Sequence, residues 1–139
     1  MLVQAGERIT QTFSLSETEI VEFARLCGDH NPLHHDPEYA SQTRFGGIIA
    51  CGPHYVSLFM GLLATEFSKR AAMLGLEFSF SLLKAVPPNE PFHMEWEVTG
   101  VEFKDSLNGE IVSLKGSIKD NRGVAMLTST GKVLVTSQL

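Results

Sequence analysis

The spacing of hydrophobic positions changes near residue 71, from helical recurrence before it to strict alternation after it. Ile20, Phe23, Ala24 and Cys27 recur at helical spacing. Ser16, followed three residues later by Glu19, forms a capping-box pair for the start of that helix, and Gly28 supplies a left-handed stop. Arg8–Phe13 reads as a short strand ahead of it. Asp36-Pro37 restarts a short helix, with Asp as cap and Pro at the first helical position. The stretch IIACGPHYVSLFMGLLATEF is apolar nearly all round from Val56 to Ala64, which predicts a long helix enclosed by other structure. Beyond Arg70, Leu74, Leu76, Phe78, Phe80 and Leu82 alternate with Gly75, Glu77, Ser79 and Ser81, predicting a strand with one buried face. Phe92, Met94, Trp96 and Val98 alternate again, with Gly100 as a bulge. Ile111–Lys119 and Val124–Val135 supply two more strands, joined by a turn at Asp120-Asn121-Arg122-Gly123.

Helices gathered before residue 71 and strands in succession after it indicate an α+β class with an antiparallel sheet. The economical packing is a sheet curled around the long helix. Neither that helix nor one sheet face can hide all its apolar surface alone, so pairing with a second copy is expected. At 139 residues the chain suits one domain, 1–139, with no linker, repeat or low-complexity tract dividing it. Hydrophobic residues make up 43% and charged residues 19%, which excludes whole-chain disorder. Sixteen acidic against eleven basic side chains leave a formal charge of -5, so no general nucleic-acid footprint exists. The apolar run from Ile48 to Leu63 is interrupted by Gly52, Pro53, His54 and Gly61, so a buried helix is expected in place of a membrane span. MLVQAGERIT lacks a basic region followed by an apolar stretch, so no secretory signal is expected. Cys27 and Cys51 lack CxxC spacing and suit a reducing compartment; cytoplasm is the expected location.

Two segments carry candidate chemistry. In Gly28-Asp29-His30-Asn31-Pro32-Leu33-His34-His35-Asp36, Pro32 lacks an amide hydrogen and pushes Asn31 toward extended geometry, so a bent loop is expected. Such a loop can bring Asp29 and His34 together around one water and exchange protons with it. The plainer reading is a turn built from ordinary turn formers, and composition alone favours it. His30 and His34 would share one face of a helix, as zinc ligands do, but Pro32 removes that helix and no third ligand cluster appears; no metal is expected. In the second segment, Arg44-Phe45-Gly46-Gly47-Ile48-Ile49-Ala50-Cys51-Gly52-Pro53-His54, Gly52 before Pro53 marks the start of the long helix. Free amides and the positive end of the helix dipole gather there, where they can stabilise a developing oxyanion. Glycines that simply permit close packing are the bland alternative. Cys51 reads as a small buried filler before it reads as a nucleophile.

Together, GDHNPLHHDPEYA and RFGGIIACG resemble the MaoC-like (R)-specific enoyl-CoA hydratases, a family with the hot-dog fold. The resemblance implies a long central helix wrapped by a curled antiparallel sheet, paired subunits, and a tunnel for an acyl-pantetheine arm. It implies hydration of a trans-2-enoyl thioester to an (R)-3-hydroxyacyl thioester, or the reverse dehydration. By the same resemblance Asp29 and His34 are the acid/base pair and Asn31 braces their loop. The Gly52 amide polarises the thioester carbonyl, and Gly47, Cys51, Ser57 and Met60 belong to the substrate's surroundings. No separate cofactor is implied, since coenzyme A or acyl-carrier phosphopantetheine is part of the substrate. This chain departs from the family pattern at Cys51, commonly His, and at Pro53, commonly small or apolar. The polar residue expected along the central helix falls near Met60, with Ser57 one turn earlier. Leu58, Phe59 and Met60 are expected to shape the acyl tunnel, and Lys69, Arg70 and Lys84 are available to coenzyme A phosphates.

Two other readings remain open on the sequence. A hot-dog thioesterase shares the fold, but it would be expected to present a carboxylate on or near the central helix, and none lies between Gly52 and Thr65. A non-catalytic acyl-thioester-binding subunit fits the altered residues around Gly52, but leaves both Asp29 and His34 without a chemical reason.

Overall fold

Five strands and three α-helices build the molecule, which the computed structural model describes over residues 1–139. In chain order they are β1 (Arg8–Phe13), α1 (Glu17–Leu26), α2 (Pro37–Ser41), α3 (Gly52–Ser68), β2 (Ala72–Leu82), β3 (Phe92–Lys104), β4 (Gly109–Lys119) and β5 (Ala125–Thr136). The strands form one antiparallel sheet in the order β1-β3-β4-β5-β2, curled around α3.

Local signals place most boundaries. Ser16 Oγ accepts the Glu19 amide and Glu19 Oε1 accepts the Ser16 amide, so both halves of the capping box start α1. Gly28, at φ +77°, ends it: its amide donates to the Arg25 carbonyl and the Asp29 amide donates to that of Ala24. Asp36 caps α2 through the Tyr39 amide, with Pro37 at the first helical position. The bulge at Gly100 appears as a register shift between Val98 and Gly100 in the β3–β4 ladder.

The core lies between α3 and the sheet. Phe59 of α3 stacks on Trp96 of β3 with centroids 4.0 Å apart, and Trp96 Nε1–H donates to the Phe59 carbonyl. Gly116 on β4 admits this stack, because a Cβ there would lie 2.5 Å from the Trp96 ring and 2.6 Å from that of Phe59.

Three expectations need correction. Pro32 does not leave the whole Asp29–His35 segment irregular: Pro32–His34 form a 3-10 turn with Pro in its first turn, where its missing amide costs nothing. The long helix is not enclosed all round, since Ser57, Gly61, Ala64 and Ser68 lie exposed along one face. The alternation in β2 buries its face only in part within the chain, where Phe78 and Phe80 pack against the core. Leu74, Leu76 and Leu82 remain 46–53% exposed, because β2 is a sheet edge and a bulge between Gly75 and Glu77 breaks its period.

Candidate functional site

The turn that ends α1 aims the first half of the site. Asp29 follows Gly28 directly, so the hydrogen bonds that close α1 also set the Asp29 backbone. Asp29 Oδ1 then accepts the Asn31 amide at 3.0 Å, and Asn31 Oδ1 accepts the Leu33 amide at 3.1 Å, starting the 3-10 turn that carries His34. His35 Nε2–H donates to the Asp29 carbonyl at 2.6 Å. His30 is exposed, and its ring lies 6.2 Å from that of His35.

Buried His34 is held from the other segment. Its Nδ1–H donates to the Ile49 carbonyl at 2.7 Å, and the Ile49 amide donates back to the Leu33 carbonyl. That partner selects the tautomer, because a carbonyl can only accept; in the neutral ring Nε2 keeps its lone pair. Nε2 lies 3.5 Å from Asp29 Oδ2, the carboxylate oxygen left free by the Asn31 amide. At that separation one water can sit about 2.8 Å from each atom, completing a triangle.

The second segment delivers Gly52. The Ala50 amide donates to the Val86 carbonyl, which ties the approach to α3 onto the loop after β2. Cys51 is the N-cap of α3, with Gly52 and Pro53 in the first turn. The Gly52 amide, at the helix start, has no carbonyl four residues behind it inside the helix. His34, Gly52 and Asn31 share a cleft of about 600 Å³, whose apolar walls are Leu33, Phe45, Ile49, Ala50, Leu82, Leu83 and Ala85, with the Tyr55 ring beside them. Lys84 and Arg44 line the same cleft.

Other expected residues lie elsewhere within the chain. Cys51 is buried, and burial, foremost, pushes its thiol up to about 11, so it stays protonated near neutral pH. Gly47 is half-buried in the loop before α3 and does not line the cleft. Neither do Ser57 and Met60. Ser57 lies about 140° around α3 from Gly52 at roughly 100° per residue.

Of the expected tunnel residues and phosphate ligands, only Lys84 lines this cleft within the chain. Phe59 is spent on the Trp96 stack, and Leu58 does not reach the cleft. Lys69 and Arg70 pair with Glu66 and Glu7 beyond the far end of α3, about 25 Å along the axis from Gly52 at 1.5 Å per residue. Lys84 lines the cleft but pairs with Asp120, whose carboxyl it draws down to about 2. Sequence reasoning gave no role to Arg44 or Tyr55, although Arg44 opens the RFGG segment and Tyr55 follows Gly52 by three residues, on its own helix face.

A family model described as a MaoC like domain matches residues 3–118. The (R)-specific enoyl-CoA hydratase of Aeromonas caviae is 36% identical over 81 residues, which span 58% of this chain and 60% of that relative. The 3-hydroxyacyl-thioester dehydratase Z of Mycobacterium tuberculosis (strain H37Rv) is 28% identical over 127 residues, covering 83% of each. Among solved structures, the (R)-hydratase from A. caviae involved in PHA biosynthesis superposes with a TM-score of 0.85 at 28% identity, covering 96% of this chain and 97% of that one.

Proposed function

This chain belongs to the MaoC-like domain family, and on that premise we propose that it is a hydro-lyase that adds water across a trans-2-enoyl thioester to give the (R)-3-hydroxyacyl thioester, or runs the reverse dehydration. The observation that carries the reading is the pairing of His34 Nε2 with Asp29 Oδ2 at 3.5 Å beside the cleft that Gly52 also lines.

The chemistry follows from which atoms are free. A water held between Nε2 and Oδ2 loses a proton to the imidazole as its oxygen attacks C3 of the double bond. The electron pair of that double bond moves onto the thioester carbonyl oxygen. The Gly52 amide, at the positive end of α3, stabilises the charge that builds there. The Asp29–His34 pair then returns the proton to C2. One water is consumed, one C–O and one C–H bond form, and the π bond is lost. The Ile49 carbonyl holds the imidazole in its basic tautomer, and Asp29 stabilises the imidazolium while it lasts.

Coenzyme A or phosphopantetheine arrives as part of the substrate. Arg44, which makes no ion pair within the chain, is the cleft's free cation for the negatively charged carrier. No helix of the chain is long and apolar enough to cross a membrane. A cytoplasmic location and a single domain over 1–139 remain part of this proposal.

The test follows the ultraviolet absorbance of trans-2-enoyl-CoA, which falls when hydration removes the conjugated double bond. Asp29→Asn and His34→Ala are each expected to lower turnover by at least about 10²-fold. Asp29→Asn is expected to keep the melting temperature, whereas His34→Ala, which removes a buried ring and its bond to the Ile49 carbonyl, is expected to lower it while the far-UV circular dichroism stays native. Near-normal rates in both variants would remove the pair from the mechanism. Release of free thiol by the wild type, with the double bond left intact, would show a thioesterase instead.

A further inference from the structure

Tyr55 occupies an unusual position for a residue with no assigned part in the reaction. It is 4% exposed, yet its hydroxyl makes no hydrogen bond within the chain. Tyrosine hydroxyls on largely buried residues ordinarily find a partner within the protein. This one opens onto the cleft, since His54 Nδ1 is the one fully buried side-chain polar atom left unpaired. Tyr55 stands three residues after Gly52 on α3, and long side chains on a helix lean back toward its N-terminus. Its hydroxyl accordingly comes within 4.0 Å of the point a Cβ on Gly52 would occupy, and Tyr55 lines the cleft shared with His34 and Gly52. An unpaired donor and the first amide of a 17-residue helix thus face one cleft from the same side.

We propose that the Tyr55 hydroxyl is a second hydrogen-bond donor to the thioester carbonyl oxygen, acting beside the Gly52 amide. This deepens the hydratase reading and rests on it for the claim about rate. A carbonyl oxygen has two lone pairs, so it can accept from both groups at once. The two donors are needed most when negative charge gathers on that oxygen. Burial, foremost, raises the phenol's pKa above its usual value, and the nearby Cys51 adds to the rise, so the hydroxyl keeps its proton at neutral pH. Leu82 closes the site from the β2 side, its Cδ1 lying 2.7 Å from the same Cβ point on Gly52.

Tyr55→Phe removes the hydroxyl and keeps the ring. Wild type and variant are compared across a series of trans-2-enoyl-CoA chain lengths, with butyryl-CoA affinity and melting temperature measured in parallel. Loss of one such donor is expected to lower kcat by about 10²-fold, with KM changing far less and the melting temperature unchanged. Affinity for butyryl-CoA, which carries the same carbonyl but cannot be hydrated, is expected to fall by roughly 5-fold, the share of one neutral hydrogen bond. A variant with wild-type kcat and wild-type butyryl-CoA affinity overturns the assignment of Tyr55. A wild type that hydrates no enoyl-CoA overturns the hydratase reading instead; weaker butyryl-CoA binding by the variant would then still support the carbonyl contact, and equal binding would overturn it.

Discussion

Chemistry at the level of single residues depends on which atoms are already engaged. Asp29 spends Oδ1 on the Asn31 amide and His34 spends Nδ1 on the Ile49 carbonyl, so one free atom from each remains to meet the other. Asp and His five positions apart were legible in the chain, and so was the turn that bends them together. The partner that chooses the imidazole tautomer was not, because it is a backbone carbonyl fifteen residues away and carbonyls carry no sequence signal. His54 makes the contrasting case. Its ring stacks on Phe23 at 4.2 Å and its buried Nδ1 has no partner, so burial lowers its pKa below 6.5, and nearby Glu19 only partly offsets this. The folded protein therefore binds this proton less readily than the unfolded chain. Its contribution to stability is complete above about 6.5 and declines as pH falls through that value toward the lower folded pKa. Thermal melts taken between about pH 7.5 and 5.5 should lose stability more steeply for the wild type than for His54→Phe.

At the level of elements, the site is a joint product of three chain terminations. The C-terminus of α1 sets Asp29, a 3-10 turn sets His34, and the N-terminus of α3 sets Gly52. Each was announced by punctuation residues: Gly28, Pro32, and Gly52 with Pro53. The helix-to-sheet contact was only half announced. The alternation of Phe92, Met94, Trp96 and Val98 indicated a buried face, but not that Trp96 would lie flat on Phe59. Gly116 is what permits it. Gly116→Ala must displace one of two stacked rings, both fully buried, and is expected to destabilise the protein by about 1–3 kcal/mol, measured by urea unfolding.

For the whole molecule, the unanswered demand is apolar surface at the β2 edge. Leu74, Leu76, Leu82 and Leu83 stand roughly half exposed there, and Leu82 and Leu83 also wall the cleft. Covering this edge with a second copy would bury the exposed leucines. Light scattering of the purified protein is expected to give twice the chain mass of 15.3 kDa. Leu76→Lys, placed on that edge away from the cleft lining, is expected to shift the protein toward the monomer; an unchanged mass would locate the interface elsewhere. The sequence by itself determined what short-range physics encodes: the period change near residue 71, the caps of α1 and α2, the start of α3, and the loop that carries Asp29 and His34. Tertiary structure alone decided which edge was left uncovered, which walls formed the cleft, and that the Tyr55 hydroxyl would face the cleft near Gly52 without a partner in the chain. The division has a physical cause, since caps and periods are satisfied within a few residues whereas burial depends on neighbours brought together from distant parts of the chain.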